Sequence, residues 1–180
     1  MKRSIPFWQF IGFIFVSILG TVSHYLYDWT ESDVVAAISG VNESTWEHMK
    51  LLFFPLLIFA VIENKILNKR EDFWCIKLRG TLFGLALIPT IFYLYNGIIG
   101  KSPDWINISI FFISAAIVFI YETKKFQSGE IKCSNPKKAI FIFVIIALLF
   151  ILFTYFTPKL NIFRDPLTNT YGIYKTGRLL

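Results

Sequence analysis

Both histidines of this chain lie close to acidic residues, and the combination is suited to binding a metal ion. Asp28 follows His24 by four residues, a spacing that places both side chains on one face of a helix. Glu47 directly precedes His48, and Glu43 lies about one helical turn before Glu47. Two imidazoles with one or two carboxylates are a ligand set typical of zinc, iron or manganese sites. We therefore predict His24, Glu47 and His48 as ligands of zinc or another divalent metal.

Four neighbouring residues receive supporting roles in this hypothesis. Glu43 and Asp165 are the candidate catalytic residues, as general bases. Asp28 and Lys50 are expected to hold the ligands in place from outside the coordination shell. The spacing does not match HExxH, a motif that fixes the geometry of a metal site. The prediction therefore depends on the residue types and on the similar distance of both histidines from the predicted outer membrane surface.

Each of these residues also has a purely structural interpretation. Ser44 and Glu47 match a capping box, in which Glu47 only helps to start a helix. Glu47 could also pair with Lys50, three residues further on. His24 could be a histidine at the membrane interface that bonds to a carbonyl or to water, and Asp165 could start a turn in a frayed terminus. These alternatives remain open at this point.

Long apolar segments must position these residues. The chain of 180 residues is 55% hydrophobic and only 17% charged, well below the roughly 25% charged residues of a soluble domain. Apolar runs of about 18 residues or more are typical of transmembrane helices. The pattern predicts one all-α transmembrane domain, a polytopic helix bundle over residues 1–180, with about five spans at 6–27, 46–66, 76–99, 105–122 and 138–157. The tail, 158–180, is expected to fold back over the outer side, and Gly80 and Gly84 fit a close helix-packing face.

The distribution of Lys and Arg predicts the orientation of the chain, because basic connections stay on the cytoplasmic side. The connection between the first two spans has neither residue. The second connection contains both residues, and the fourth contains several lysines: Lys65, Lys69, Arg70, Lys77, Arg79, Lys124, Lys125, Lys132, Lys137 and Lys138. We therefore predict a multi-pass protein with a cytoplasmic N-terminus and a C-terminus outside.

Two pairs of residues fall on the predicted inner side. Cys75 and Cys133 would meet a reducing compartment there, so we expect free thiols. Glu63 and Glu122 lie at the inner ends of the second and fourth spans, close in sequence to several lysines. Solvated ion pairs with those lysines account for both carboxylates.

The net charge of +6 is attributed to anchoring on anionic lipid at the inner face. The basic residues form no patch interleaved with aromatic residues that could stack on bases, so nucleic acid is not an expected partner. The expected partners are membrane lipid, a second copy of the chain in a homo-oligomer, or a partner membrane subunit.

Three stretches carry a resemblance to a known family. GTVSHYLYDW, VNESTWEHMKLLFFP and the terminal FRDPLTNTYGIY resemble a family of small bacterial multi-span membrane proteins known only as a domain of unknown function. The resemblance extends over nearly the whole chain and is most specific at NESTWEH. It implies a location in the bacterial plasma (inner) membrane, and it implies no activity and no role for any residue.

Three functions are compatible with these features. The first is a metal-dependent enzyme that acts on a lipid or another amphiphile in an outer-facing pocket of His, Glu and Asp residues. The second is a non-catalytic binding or accessory membrane subunit. The third is a small proton-coupled transporter, in which Glu47 and His48 exchange protons.

Overall fold

The computed structural model describes residues 4–67, 70–100 and 103–173, with the Asp104 side chain excepted. Helices account for most of this part of the chain: α1 Ile5–Thr30, α2 Asp33–Ala36, α3 Thr45–Ile66, α4 Phe73–Ile99, α5 Asp104–Ser128 and α6 Pro136–Tyr155, followed by a 3-10 turn at Asn161–Phe163. The described residues contain no β-strand, and the predicted all-α fold is confirmed. Lys69 and the end of the predicted tail, 174–180, lie outside the described residues.

Four of the described helices are long and apolar enough to cross a membrane: α1, α4, α5 and α6. The fifth long helix, α3, has 22 residues and carries charged side chains near both ends. Each predicted span overlaps one of these five helices. That all five cross the bilayer stays a prediction.

Contacts between side chains show that α1 and α6 each run antiparallel to α3. Near the start of α1, Gln9 bonds to Glu63 at the end of α3, whereas His24 near the end of α1 faces His48 at the start of α3. The end of α6 reaches the start of α3, where Lys50 contacts Thr154. We call the end of the bundle that contains His24, His48 and Thr154 the histidine end, and the other end the cysteine end.

Helix α3 lies at the centre of the bundle. On one side it packs on α1 and α5 through Phe59 and Phe119, and on the other side on α6 through Phe53, Phe143 and Phe150. The outer faces of α1, α4, α5 and α6 expose many large apolar side chains, as a lipid-facing surface requires. A central α3 therefore keeps its charged residues away from lipid.

Glycines allow close approach between α4 and α5. A Cβ atom on Gly84 would lie 2.4 Å from Cγ2 of Val118, and one on Gly80 would lie 2.7 Å from Oε1 of Glu122. The two glycines therefore face α5, as their spacing predicts.

The interpretation of Glu63 and Glu122 as solvated ion pairs is wrong. Both side chains are fully buried, and both pair with the buried Lys77 of α4, whose Nζ lies 2.9 Å from Glu63 and 2.6 Å from Glu122. Glu63 and Glu122 do not pair with the lysines next to them in sequence, because the packing of α3, α4 and α5 turns both carboxylates toward the inside of the bundle.

The expectation of free thiols is also wrong. Cys75 and Cys133 form a disulfide that links the start of α4 to the segment before α6. The two residues are 58 positions apart in sequence, and their Cα atoms lie 5.7 Å apart because α5 returns the chain to the end of the bundle where α4 begins.

Candidate functional site

The loop between α1 and α3 folds back onto the turn of α1 that carries His24. Glu31 adopts a left-handed conformation after α1, with φ of 48°, and its N–H donates to Tyr27 O. Further along the loop, the Gly40 N–H donates to Ser23 O at 3.1 Å. This bond fixes the loop beside His24, so that Glu43 can reach the imidazole.

The start of α3 is set by local hydrogen bonds of the residues Asn42 to Glu47. The Ser44 N–H donates to the side chain of Asn42, and the Ser44 hydroxyl accepts from the Glu47 N–H. Ser44 is thus the N-cap that the sequence suggested. Because α3 begins there, His48 lies on its first turn and faces α1.

Glu43 lies between the two imidazoles. Its Oε1 is 3.5 Å from Nε2 of His24, and its Oε2 is 3.6 Å from Nε2 of His48. The two rings are 5.7 Å apart between centroids. One ligand atom from each of these three residues lies within 4.8 Å of the other two. The three side chains are partly exposed, so the group is accessible from outside the helix core.

A backbone contact determines which nitrogen of His48 is free. Its Nδ1 lies 2.9 Å from the carbonyl oxygen of Ser44. Because a carbonyl oxygen only accepts, Nδ1 carries the hydrogen, and Nε2 of a neutral imidazole presents its lone pair toward Glu43. In histidines that bind a metal through one ring nitrogen, the other nitrogen typically donates a hydrogen bond to a carbonyl, a carboxylate or water.

The charge state of Glu43 suits a ligand. The His24 imidazole, with a smaller contribution from His48, holds the pKa of the Glu43 carboxyl below its usual value, although partial burial opposes this effect. Glu43 is therefore ionised at neutral pH, and a carboxylate is the form that binds a metal.

Glu47 and Lys50 are placed elsewhere, in a buried ion pair. Nζ of Lys50 lies 2.6 Å from Oε2 of Glu47 and donates to Ala36 O and to the Thr154 hydroxyl. Glu47 also accepts from the Val41 N–H at 3.2 Å. In the described structure, the imidazoles therefore meet Glu43 rather than Glu47, and Lys50 joins α2, α3 and α6.

Asp165, the second predicted base, is buried and occupied with backbone donors. Its Oδ2 accepts from the Glu43 N–H at 3.2 Å, and its Oδ1 accepts from Leu167 and Thr168. A further bond joins Asn42 to Gly172 O. The described part of the tail thus lies on the loop that carries Glu43, and Asp165 holds that loop in place.

Two cavities adjoin the imidazole of His24. A polar cavity of about 200 Å³ is lined by Asp28, Glu43, Asp165 and His24 among others. An apolar cavity of about 90 Å³ is lined by both histidines and by Thr21 and Phe111. His24 lines both cavities, so one bound molecule could extend from the polar cavity into the apolar one.

The structure therefore brings His24, His48, Glu43 and Asp165 together and separates Glu47 and Lys50 from them. Asp28 lines the polar cavity but does not hold His24, because Nδ1 of His24 has no hydrogen-bond partner among the described residues. Sequence reasoning gave Glu43 the role of a base and missed it as the residue between the imidazoles. The available signal was weak: Glu43 precedes the cap of α3, and only the path of the loop decides where its side chain points.

A family model described as a family of unknown function (DUF6512) matches residues 2–173. No curated protein and no solved structure matches the chain.

Proposed function

We propose that this chain, which belongs to the family of unknown function DUF6512, is a membrane-embedded metal-dependent enzyme that hydrolyses an amphiphile. His24, Glu43 and His48 would be the metal ligands. The observation that carries the proposal is the placement of one carboxylate between two imidazole nitrogens at 3.5 and 3.6 Å.

These distances suit a shared metal ion. With zinc–ligand bonds of about 2.0–2.1 Å in tetrahedral geometry, neighbouring ligand atoms lie roughly 3.3–3.4 Å apart. The 3.5 and 3.6 Å separations already approach this value, and the three ligand atoms, which lie within 4.8 Å of one another, would move closer together on binding. Two histidines and one glutamate are also a ligand set of catalytic zinc sites, which keep a fourth position for water. Such a metal lowers the pKa of its bound water toward neutrality and so provides a nucleophile.

The two cavities support an amphiphile as the substrate. The polar cavity would hold the head group beside the ligands, with Asp28 free to act on it because its side chain is exposed and outside the ligand group. The apolar cavity lies between α1 and α5, next to side chains on the lipid-facing surface such as Tyr25 and Ile108. A single acyl chain could enter it from the bilayer.

The proposed location is the plasma membrane of a bacterium, with the site on the outer face. The support is the excess of Lys and Arg in the connections at the cysteine end, together with the resemblance to small bacterial membrane proteins.

Metal analysis of protein purified without chelators tests the metal site. We expect about one zinc or other divalent ion per wild-type chain, by analogy with single-metal catalytic sites. His24→Ala, Glu43→Gln and His48→Ala should each lose it, whereas Glu31→Gln, an exposed acid in the same loop, should keep it. A wild-type chain that neither contains nor binds a divalent metal would overturn the proposal.

Asp165→Asn separates a positioning role from that of a base. All three hydrogen-bond partners of the Asp165 carboxylate are backbone N–H groups. In the variant, the NH2 group of Asn replaces one carboxylate oxygen, so it faces a backbone N–H and at least one of these hydrogen bonds is lost. We expect metal affinity to fall by about 10–100-fold, as for other groups that orient ligands. Unchanged affinity with lost turnover would instead identify Asp165 as the base.

Hydrolysis rates of esters with long and short acyl chains test whether the apolar cavity binds the acyl chain of the substrate. Thr21→Phe should fill the cavity from its lipid side, and Thr21 is not among the proposed ligands. We expect it to slow hydrolysis of a long-chain ester and to leave both metal content and hydrolysis of a short, water-soluble ester unchanged. Equal effects on both esters would show that the chain binds elsewhere.

A further inference from the structure

A second group of polar side chains lies inside the bundle toward the cysteine end. Gln9 of α1, Glu63 of α3, Lys77 of α4 and Glu122 of α5 are each no more than 1% exposed. Nε2 of Gln9 donates to Oε1 of Glu63 at 2.6 Å, and Nζ of Lys77 donates to both carboxyl groups. We call these four residues the buried carboxyl cluster.

The buried carboxyl cluster has one ammonium group for two carboxyl groups. If both carboxyl groups were ionised, one negative charge would be in excess and out of contact with water. Nζ also faces the rings of Phe59, Phe73 and Phe119, with centroids at 5.2–6.0 Å, which stabilise the cation and do not stabilise an anion.

The charged groups close by along the chain do not balance this excess. Lys65, Arg79 and Lys124, each two residues from a member of the cluster, are exposed. Arg70 pairs with Asp72, and Lys125 pairs with the exposed Glu130. α1 contributes to the cluster only the neutral amide of Gln9.

The hydrogen bonds indicate which carboxyl group would carry a proton. Both oxygens of Glu63 accept a hydrogen bond, one from Gln9 and one from Lys77, as an ionised carboxylate does. Glu122 accepts only at Oε2, and its Oε1 is buried without a hydrogen-bond partner among the described residues. This oxygen lies against Gly80, where any side chain would collide with it.

We infer that the buried carboxyl cluster is a proton-binding site, in which Glu122 is protonated at Oε1 while Glu63 and Lys77 form an ion pair. The ligand is a proton because its uptake removes the excess charge without requiring space. The cluster is distinct from the histidine site, with which it shares no residue. Buried carboxyl groups within spans are the residue type from which proton relays are built.

Infrared spectroscopy tests the inference directly, on the full chain in a detergent without ester groups. The wild-type protein at neutral pH should show the carbonyl stretch of a protonated carboxylic acid, with the small shift in deuterated water that identifies it. Glu122→Gln should abolish this band and leave the thermal unfolding temperature unchanged, because an amide mimics the neutral carboxyl. Glu130→Gln, which removes an exposed carboxylate, should retain the band.

Glu63→Gln provides a second variant. Only one carboxyl group then remains for Lys77, so Glu122 should ionise and the band should again disappear. A wild-type spectrum without the band, or a band that persists in either Glu122→Gln or Glu63→Gln, would overturn the inference.

Discussion

At the scale of single residues, Glu43 and Glu47 show how position decides chemistry. Both are glutamates near the start of α3, four residues apart. Glu47 lies inside the helix and turns into the bundle, where Lys50 neutralises it. Glu43 lies in the loop before the helix and turns toward α1, where it meets both imidazoles. The polar start of α3 therefore contributes to two features, a buried ion pair and the proposed metal site.

Lys50→Met should destabilise the protein strongly. The substitution leaves Glu47 buried without its cation, and removing one partner of a buried pair typically costs about 3–5 kcal/mol. Unfolding by a denaturing detergent measures the effect. Lys125→Met is the control, because its pair with Glu130 is exposed and such pairs contribute about 0–1 kcal/mol. Equal losses in the two variants would contradict a stabilising role for the buried pair.

At the scale of helices, small residues set how closely the elements pack. Gly12 and Gly20 bring α1 against phenylalanines of α3 and α5, and Gly80 and Gly84 bring α4 against α5. Van der Waals packing is the main attraction between helices in lipid, where burying apolar surface gains little. The glycines therefore determine how closely α1 and α4 approach the neighbouring helices.

Gly84→Ala should destabilise the bundle by about 1–3 kcal/mol, since overpacking has this typical cost. The new methyl group would lie 2.4 Å from a γ-carbon of Val118, a short side chain that cannot swing away. Gly97→Ala, on the same helix with nothing within 4 Å, should be neutral or slightly stabilising. Comparison of the two unfolding temperatures checks the prediction, which fails if Gly84→Ala is as stable as Gly97→Ala.

At the scale of the whole molecule, the antiparallel helices separate two chemically different ends. The histidine end holds the candidate metal site under the described part of the tail, and the cysteine end holds the disulfide and most of the basic residues that the structure describes. These two features of the cysteine end favour opposite compartments. Basic residues favour the cytoplasm, whereas disulfides persist in oxidising compartments.

Thiol labelling decides the orientation. In a variant with both native cysteines replaced by serine, Asp33→Cys reports on the histidine end and Ser128→Cys on the cysteine end, since both positions are exposed. We expect a membrane-impermeant reagent added to intact cells to label position 33 and not 128. Because five crossing helices place these positions on opposite sides, labelling of both from outside would contradict the five-span topology. Labelling of 128 alone would reverse the orientation.

The sequence by itself determined the class of the protein. Apolar runs in the chain of 180 residues predicted the helices, and turn and capping residues such as Ser44 predicted where α3 begins. These features are local: hydropathy acts along one segment, and a cap acts within one turn. The two histidines were also recognised as a pair at similar depth, because the spans that carry them are adjacent in sequence.

Only the tertiary structure decided which charged groups meet. Sequence neighbours suggested that Glu63 and Glu122 pair with nearby lysines, and the structure pairs them with Lys77 instead. It likewise places Glu43 between the imidazoles and Glu47 against Lys50. The physical reason is that a charged group kept out of lipid pairs with whichever partner lies within a few ångströms. That partner depends on the rotation of each helix and on the path of each loop, and the spacing of residues along the chain determines neither the rotation nor the path.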